Sequence, residues 1–161
     1  MSGGELEPVT DQHVEDTYRE ALALAERVQA YIAARPSGGH AARGETADAV
    51  YAAETLRLST RVINVVAWTM TRKAVIDGEI DEAEARRPER RLGDAQVCLD
   101  APVGELSLLP QPVREMLDES KRLYERAARL QAMLDESASP EDDGEEPAVH
   151  KLWRRLDDFD E

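Results

Sequence analysis

The chain is short of the residues on which several common functions depend. It has one cysteine, Cys98, which excludes an internal disulfide framework and suits a reducing compartment. Aromatic residues are 4% of the total, and no β-branched run alternates with period two, so a sheet has little to be built from. No glycine-rich loop leads into Lys-Ser/Thr, and Gly38-Gly39 reads as a flexible connection rather than a phosphate cradle. The three histidines, His13, His40 and His150, have no second ligand at i+3 or i+4 in a motif arrangement, so neither a zinc site nor any other metal or cofactor is expected. No nucleophile, base and orienting group come together in the pattern, and Cys98 reads as a small buried hydrophobe. An enzyme is not expected.

Positive charge is also scarce. With 34 acidic and 20 basic residues the net charge is −14, and the basic residues are scattered among the acidic ones. Such a chain repels polyphosphate, which disfavours nucleic acid as a partner. The opening MSGGELEPVTD has neither a basic start nor an apolar core, so no signal peptide is expected. The most apolar stretch is broken by Arg57, Arg61, Arg72 and Lys73, and its uncharged middle falls well short of the ~20 residues of a membrane span. A soluble, cytoplasmic protein is the expectation.

What the chain has in quantity is Ala, Leu, Glu and Arg, the composition of helices. At 161 residues it is one domain. Residues 1–9 read as disordered. Val14, Tyr18, Ala21, Leu22, Ala25, Val28 and Ile32 then fall on one stripe and predict a helix over about 11–35, stopped by Pro36. A second helix is expected over about 46–77, with Gly78 suited to the left-handed turn at its end. A short helical turn is placed around Asp81–Arg87 and a long loop over 88–109, too apolar to float free of the bundle. Pro112, in the first turn, introduces a third helix over about 111–136, with Val113, Met116, Leu117, Leu123, Tyr124, Ala127, Leu130 and Leu134 on one face. Residues 137–161 form an acidic tail that ends in a short amphipathic segment. The expected fold is all-α: an antiparallel three-helix bundle with a disordered acidic C-terminal tail.

The second helix is the most informative element. At about 100° per residue, Leu58, Val62, Val65, Val66, Thr69 and Ile76 make one apolar face, and Leu56, Ile63, Ala67, Met70 and Ala74 make another. A helix with two apolar faces is packed from two sides, so this one is central. Between the faces runs a stripe of Arg57, Arg61, Asn64 and Arg72 with Trp68 in its middle. Trp and Arg are enriched at binding hot spots, so this stripe is the first candidate partner-binding surface; the plainer reading is a solvated helix edge with one stray tryptophan. The second candidate is the tail segment with Leu152, Trp153, Leu156 and Phe159, read as a tethered peptide for a groove on another protein. Its plainer reading is a segment that folds back on its own bundle.

Three clusters of residues resemble a known family. The first helix carries Tyr18, Glu20-Ala21 and Leu24-Ala25-Glu26; the second carries Leu58-Ser59-Thr60-Arg61-Val62, Val66-Ala67-Trp68, Lys73-Ala74 and Gly78-Glu79. The third carries Leu109-Pro110, Ser120, Leu123-Tyr124-Glu125-Arg126 and Arg129-Leu130. Over about residues 14–136 the chain is similar to the bacterial RcdA family, named as a regulator of CtrA degradation. The resemblance implies a homodimeric three-helix bundle with a mobile acidic tail. It further implies a non-enzymatic adaptor that helps deliver substrates, such as a CtrA-like response regulator, to the ClpXP protease. There it would work beside a CpdR-like response regulator and a PopA-like effector, often at a cell pole. The alternative is a dimeric regulatory bundle that sequesters one protein partner with no link to proteolysis.

Overall fold

A computed structural model describes residues 9–34 and 44–138. The expectations for residues 1–8, for the Pro36–Gly44 connection up to residue 43, and for the tail beyond residue 138 fall outside the described residues.

Amphipathic periodicity produces three long helices: α1 (Asp11–Ala34), α2 (Glu45–Ile76) and α5 (Gln111–Ala138). They pack against one another pairwise in an all-α bundle, and there is no strand among the described residues. Neighbours run in opposite directions. Lys73, near the end of α2, pairs with Glu15, near the start of α1, and Arg27 of α1 pairs with Glu119 of α5. Ala21 and Leu24 of α1, Leu58 and Val65 of α2, and Val113, Tyr124 and Ala127 of α5 fill the centre.

The end of α2 is built by Gly78. Its φ of +74° is a left-handed angle that favours glycine, and it lets the next amide, that of Glu79, turn back and donate to the carbonyl of Ala74 at 2.9 Å. Without such a turn the last carbonyls of a 32-residue helix would go without partners.

The chain departs from the expected three helices in its connection, residues 77–109. The short helical turn expected around Asp81–Arg87 is α3 (Glu82–Ala85), and in place of a loop over 88–109 the chain forms α4 (Ala95–Leu99) and two single 3-10 turns, Pro88–Arg90 and Leu106–Leu108, giving five α-helices among the described residues. The reason is local capping. The Asp81 carboxylate accepts from the Glu84 amide at 2.8 Å and starts α3. Asp94 adopts a left-handed φ of 58° directly before α4. Elements of four and five residues are too short to show a helical period in sequence.

Candidate functional site

The two sides of α2 have exchanged the properties expected of them. The stripe predicted to meet a partner is inside the fold. Trp68 is 3% exposed and belongs to the core cluster, and Arg57, Arg61 and Arg72 are all buried. What covers them is the protein's own connection. α1 and α5 pack on the first apolar face of α2, and α3, α4 and the two 3-10 turns lie along the adjoining stripe.

Each charged or polar member of the stripe is occupied there. Arg61 donates from Nε to the Cys98 carbonyl at 2.8 Å, and from Nη1 to the Leu117 carbonyl at 3.2 Å and Ser120 Oγ at 3.3 Å. One guanidinium thereby ties α2 to α4 and α5 together. Burial, with the Arg57 charge close by, lowers the Arg61 pKa. Arg57 donates to both oxygens of Glu54, at 3.1 and 3.2 Å, and Glu54 Oε1 accepts the Val103 amide at 2.9 Å. Arg72 makes a two-pronged pair with Glu82 at 3.0 and 2.6 Å, which holds that carboxyl below its usual range. Asn64 donates to the Thr60 carbonyl at 2.9 Å and to Asp94 Oδ2 at 3.1 Å.

Further ties come from α5. Arg91 clamps Asp135 at 3.0 and 2.6 Å, and the Leu92 amide donates to Gln131 Oε1 at 2.9 Å. Tyr124 donates its hydroxyl to the Gly93 carbonyl at 2.7 Å, and burial pushes its pKa up to about 12. Beneath this cover Cys98 is fully buried, and desolvation raises its thiol pKa. That shift is opposite to what an activated nucleophile requires. Among the described residues no group of three or more His, Cys, Asp or Glu side chains is arranged to hold a metal ion. Nor is any helix among them long and apolar enough to cross a membrane.

The second apolar face of α2 is the bare one. Leu56 is 67% exposed, Ile63 66% and Met70 56%. These three lie at seven-residue intervals, with Ala49, Ala52 and Ala67 exposed alongside them. Between Ala49 and Thr71 the helix carries three charged side chains, Glu54, Arg57 and Arg61, and all three are buried. An ordinary surface helix turns its charge to water and its apolar stripe inward. Here the outward face holds no charge over six turns, on a chain of net charge −14.

This face continues into a groove between α1 and α2. Ala25, Val28, Gln29, Ile32 and Ala33 form one wall and Ser59, Val62 and Ile63 the other, around a cavity of 370 Å³. Ile32 and Leu22 extend it as exposed apolar side chains on α1. A contiguous uncharged surface of this kind is the strongest candidate binding site among the described residues. Its residues were visible in the sequence as the second face of α2, but that face was assigned to the core. The signal that could have reversed the assignment was the connection itself, whose Glu82, Asp94 and free backbone carbonyls are suited to arginine and asparagine. The other predicted site residues, Leu152, Trp153, Leu156 and Phe159, lie outside the described residues.

Comparison with known proteins agrees with the fold and with the family resemblance. Residues 7–159 match the family described as Protein of unknown function (DUF1465). The fold is similar to the crystal structure of RcdA from Caulobacter crescentus CB15. The two chains are 30% identical, with a TM-score of 0.55, over 73% of this chain and 87% of that one. No curated protein matches the chain significantly. A family match over most of the sequence and a relative at this identity identify the chain as a member of the RcdA family.

Proposed function

We propose that this chain is a non-enzymatic adaptor that binds partner proteins and helps deliver substrates, such as a CtrA-like response regulator, to a ClpXP protease. Membership of the RcdA family supports the proteolytic setting, and the uncharged outer face of α2 is the observation that carries the binding role. Adaptor action needs no bond chemistry. It raises the local concentration of a substrate at the protease.

In this reading the outer face of α2 pairs two copies into a homodimer. Leu56, Ile63 and Met70 repeat every seven residues, the interval at which side chains from two helices interlock, and the alanines beside them let backbones approach closely. The tail, with Leu152, Trp153, Leu156 and Phe159, reaches a second partner, and CpdR-like and PopA-like proteins are the expected co-workers. The buried Arg57, Arg61, Trp68 and Arg72 support this from within by fixing α2 to its connection.

The test is a reconstituted ClpXP reaction with a CtrA-like response regulator. Addition of the full chain should speed substrate loss. Truncation after Glu136 should leave the helicity of the bundle unchanged while abolishing the acceleration. An acceleration unaffected by truncation overturns the role of the tail, and no acceleration by the full chain overturns the adaptor.

A further inference from the structure

The groove between α1 and α2 is concave, lined by uncharged residues and left open by the described residues, and the chain carries its own candidate occupant. Beyond Ala138, residues 139–148 include no large apolar side chain. Five then follow within eleven residues: Val149, Leu152, Trp153, Leu156 and Phe159. On a helical wheel these five fall within about 120° of arc, and Asp158 lies opposite them.

The geometry permits this segment to return to its own bundle. α5 runs antiparallel to α1, with Arg126 beside Glu20, so Ala138 lies toward the α1 N-terminus. From the level of Asp11 to the middle of the groove at Gln29 is about 27 Å along α1, taking the helical rise per residue. Ten residues of extended spacer reach about 33 Å. An eleven-residue helix is about 16 Å long and matches the groove from Ala25 to Ala33, about 12 Å of α1.

Charge points the same way. From Ala148 to Leu156 the segment has Lys151, Arg154 and Arg155 and no acidic residue, on a chain that is otherwise strongly acidic. The exposed Glu26 sits on the outer row of α1 with Leu22, Gln29 and Ala33, at the rim of the groove. A tether of this length holds the segment at roughly millimolar effective concentration, so modest complementarity suffices.

We infer that the Val149–Phe159 segment docks in cis into the α1–α2 groove, with Trp153 against Ile32 and Ile63. Docked there, it covers Ile63, which a second copy would also need. A partner protein that binds the segment therefore uncovers the pairing face at the same time. The binding roles of the tail and of the outer face rest on the function proposed above, but the docking itself does not depend on proteolysis.

The chain has four isoleucines, and they make the test spatially resolved. Ile32 and Ile63 line the groove, and Ile76 and Ile80 lie at the far end of α2. A nitroxide is attached at Asp158→Cys in the full chain carrying Cys98→Ala, with circular dichroism to verify the fold, and the isoleucine methyl signals are followed by NMR. The Ile32 and Ile63 methyls should lose most of their intensity, equally at high and low protein concentration, while Ile76 and Ile80 keep theirs. Adding Trp153→Ala, a change outside the folded bundle, should restore the lost signals. Three results overturn the inference: no broadening, broadening centred on Ile76 and Ile80, or broadening only when nitroxide and isotope sit on different chains. The last would assign the groove to a second copy. Because the purified chain alone is measured, these outcomes are separate from success or failure of the degradation assay.

Discussion

The inner and outer faces of α2 invert the usual relation between polarity and burial. Within one helix Arg57, Arg61 and Arg72 are buried while Leu56, Ile63 and Met70 are exposed. The inner arginines are tolerated because each has dedicated acceptors: two backbone carbonyls and a serine for Arg61, and carboxylates for Arg57 and Arg72. The outer leucine, isoleucine and methionine have no such account among the described residues. A buried charge with partners is explained by the fold. An exposed apolar row at regular spacing is explained only by something that comes to cover it.

The comparison breaks most visibly at Trp68. If the inner face is core, Trp68→Ala removes a large buried side chain and should cost about 3–5 kcal/mol in denaturant unfolding. A loss below about 1 kcal/mol would mean that Trp68 is surface and the two faces are not opposites.

Arg61 comes next, because one side chain holds three elements. Arg61→Met keeps much of the stem but removes the donor to the Cys98 carbonyl of α4 and the tie to Leu117 and Ser120 of α5, for an expected loss of about 2–4 kcal/mol. Hydrogen exchange should rise over residues 94–109 more than in α1. Uniform loosening would mean that Arg61 does not act as the tie between connection and bundle.

Gly104 tests how closely the connection is pressed to the inner side. A Cβ built at this position lies 2.6 Å from Val50 Cγ2, on a β-branched side chain with little freedom to rotate away. Gly104→Ala should therefore cost about 1–3 kcal/mol, read as a lowered unfolding midpoint. Gly78→Ala is a useful contrast: no atom lies near, so its strain comes from the positive φ alone.

Acid should loosen the inner side. Glu82 is held below its ordinary 4.5 by Arg72, and Asp135 below its ordinary 3.8 by Arg91. A carboxyl whose folded pKa is depressed contributes stability that is fully present above its unfolded pKa and is lost as pH falls through the folded value. The connection should therefore loosen below about pH 4, in unfolding curves and in exchange over residues 82–92. The double variant Glu82→Gln with Asp135→Asn should flatten that dependence. A pH profile unchanged by the double variant would remove these two pairs as its cause.

How much of this was legible beforehand differs by element. α5 has one apolar stripe, so periodicity alone identified both the helix and its inward face; in α1 it identified the helix, but the inward face runs through Thr17 and Leu24, and Leu22 and Ile32 of the expected stripe are exposed. α2 was legible as a central helix, but its orientation was not, because two apolar faces at similar spacing leave the choice to whatever else packs nearby. That choice was made by residues 77–109, whose short helices rest on single caps such as Asp81 and on long-range ties such as Tyr124 to Gly93, none of them periodic. Arginine buried against backbone carbonyls also has no signature in sequence, since the carbonyls come from any residue type. Leu56, Ile63 and Met70 were thus seen as apolar and placed on the wrong side.

The smallest effect on stability is expected at the outer face, and there the smallness carries the meaning. Ile63 is 66% exposed on a regular stretch of helix, so Ile63→Ser removes little buried surface and should change unfolding free energy by no more than about 0.5 kcal/mol. Self-association, measured by analytical ultracentrifugation over a dilution series in a Trp153→Ala background that frees the face from the tail, should nevertheless weaken sharply, because Ile63 is the middle of the Leu56, Ile63 and Met70 row. Pairing energy in such rows concentrates at the central side chains. A control at Thr71, half-buried on the same helix but beside the row, should leave association unchanged on replacement by Ser. Should Ile63→Ser destabilise the monomer by several kcal/mol, the residue is core and the inversion of α2 fails. If it changes neither stability nor association, the outer face serves something other than a second copy.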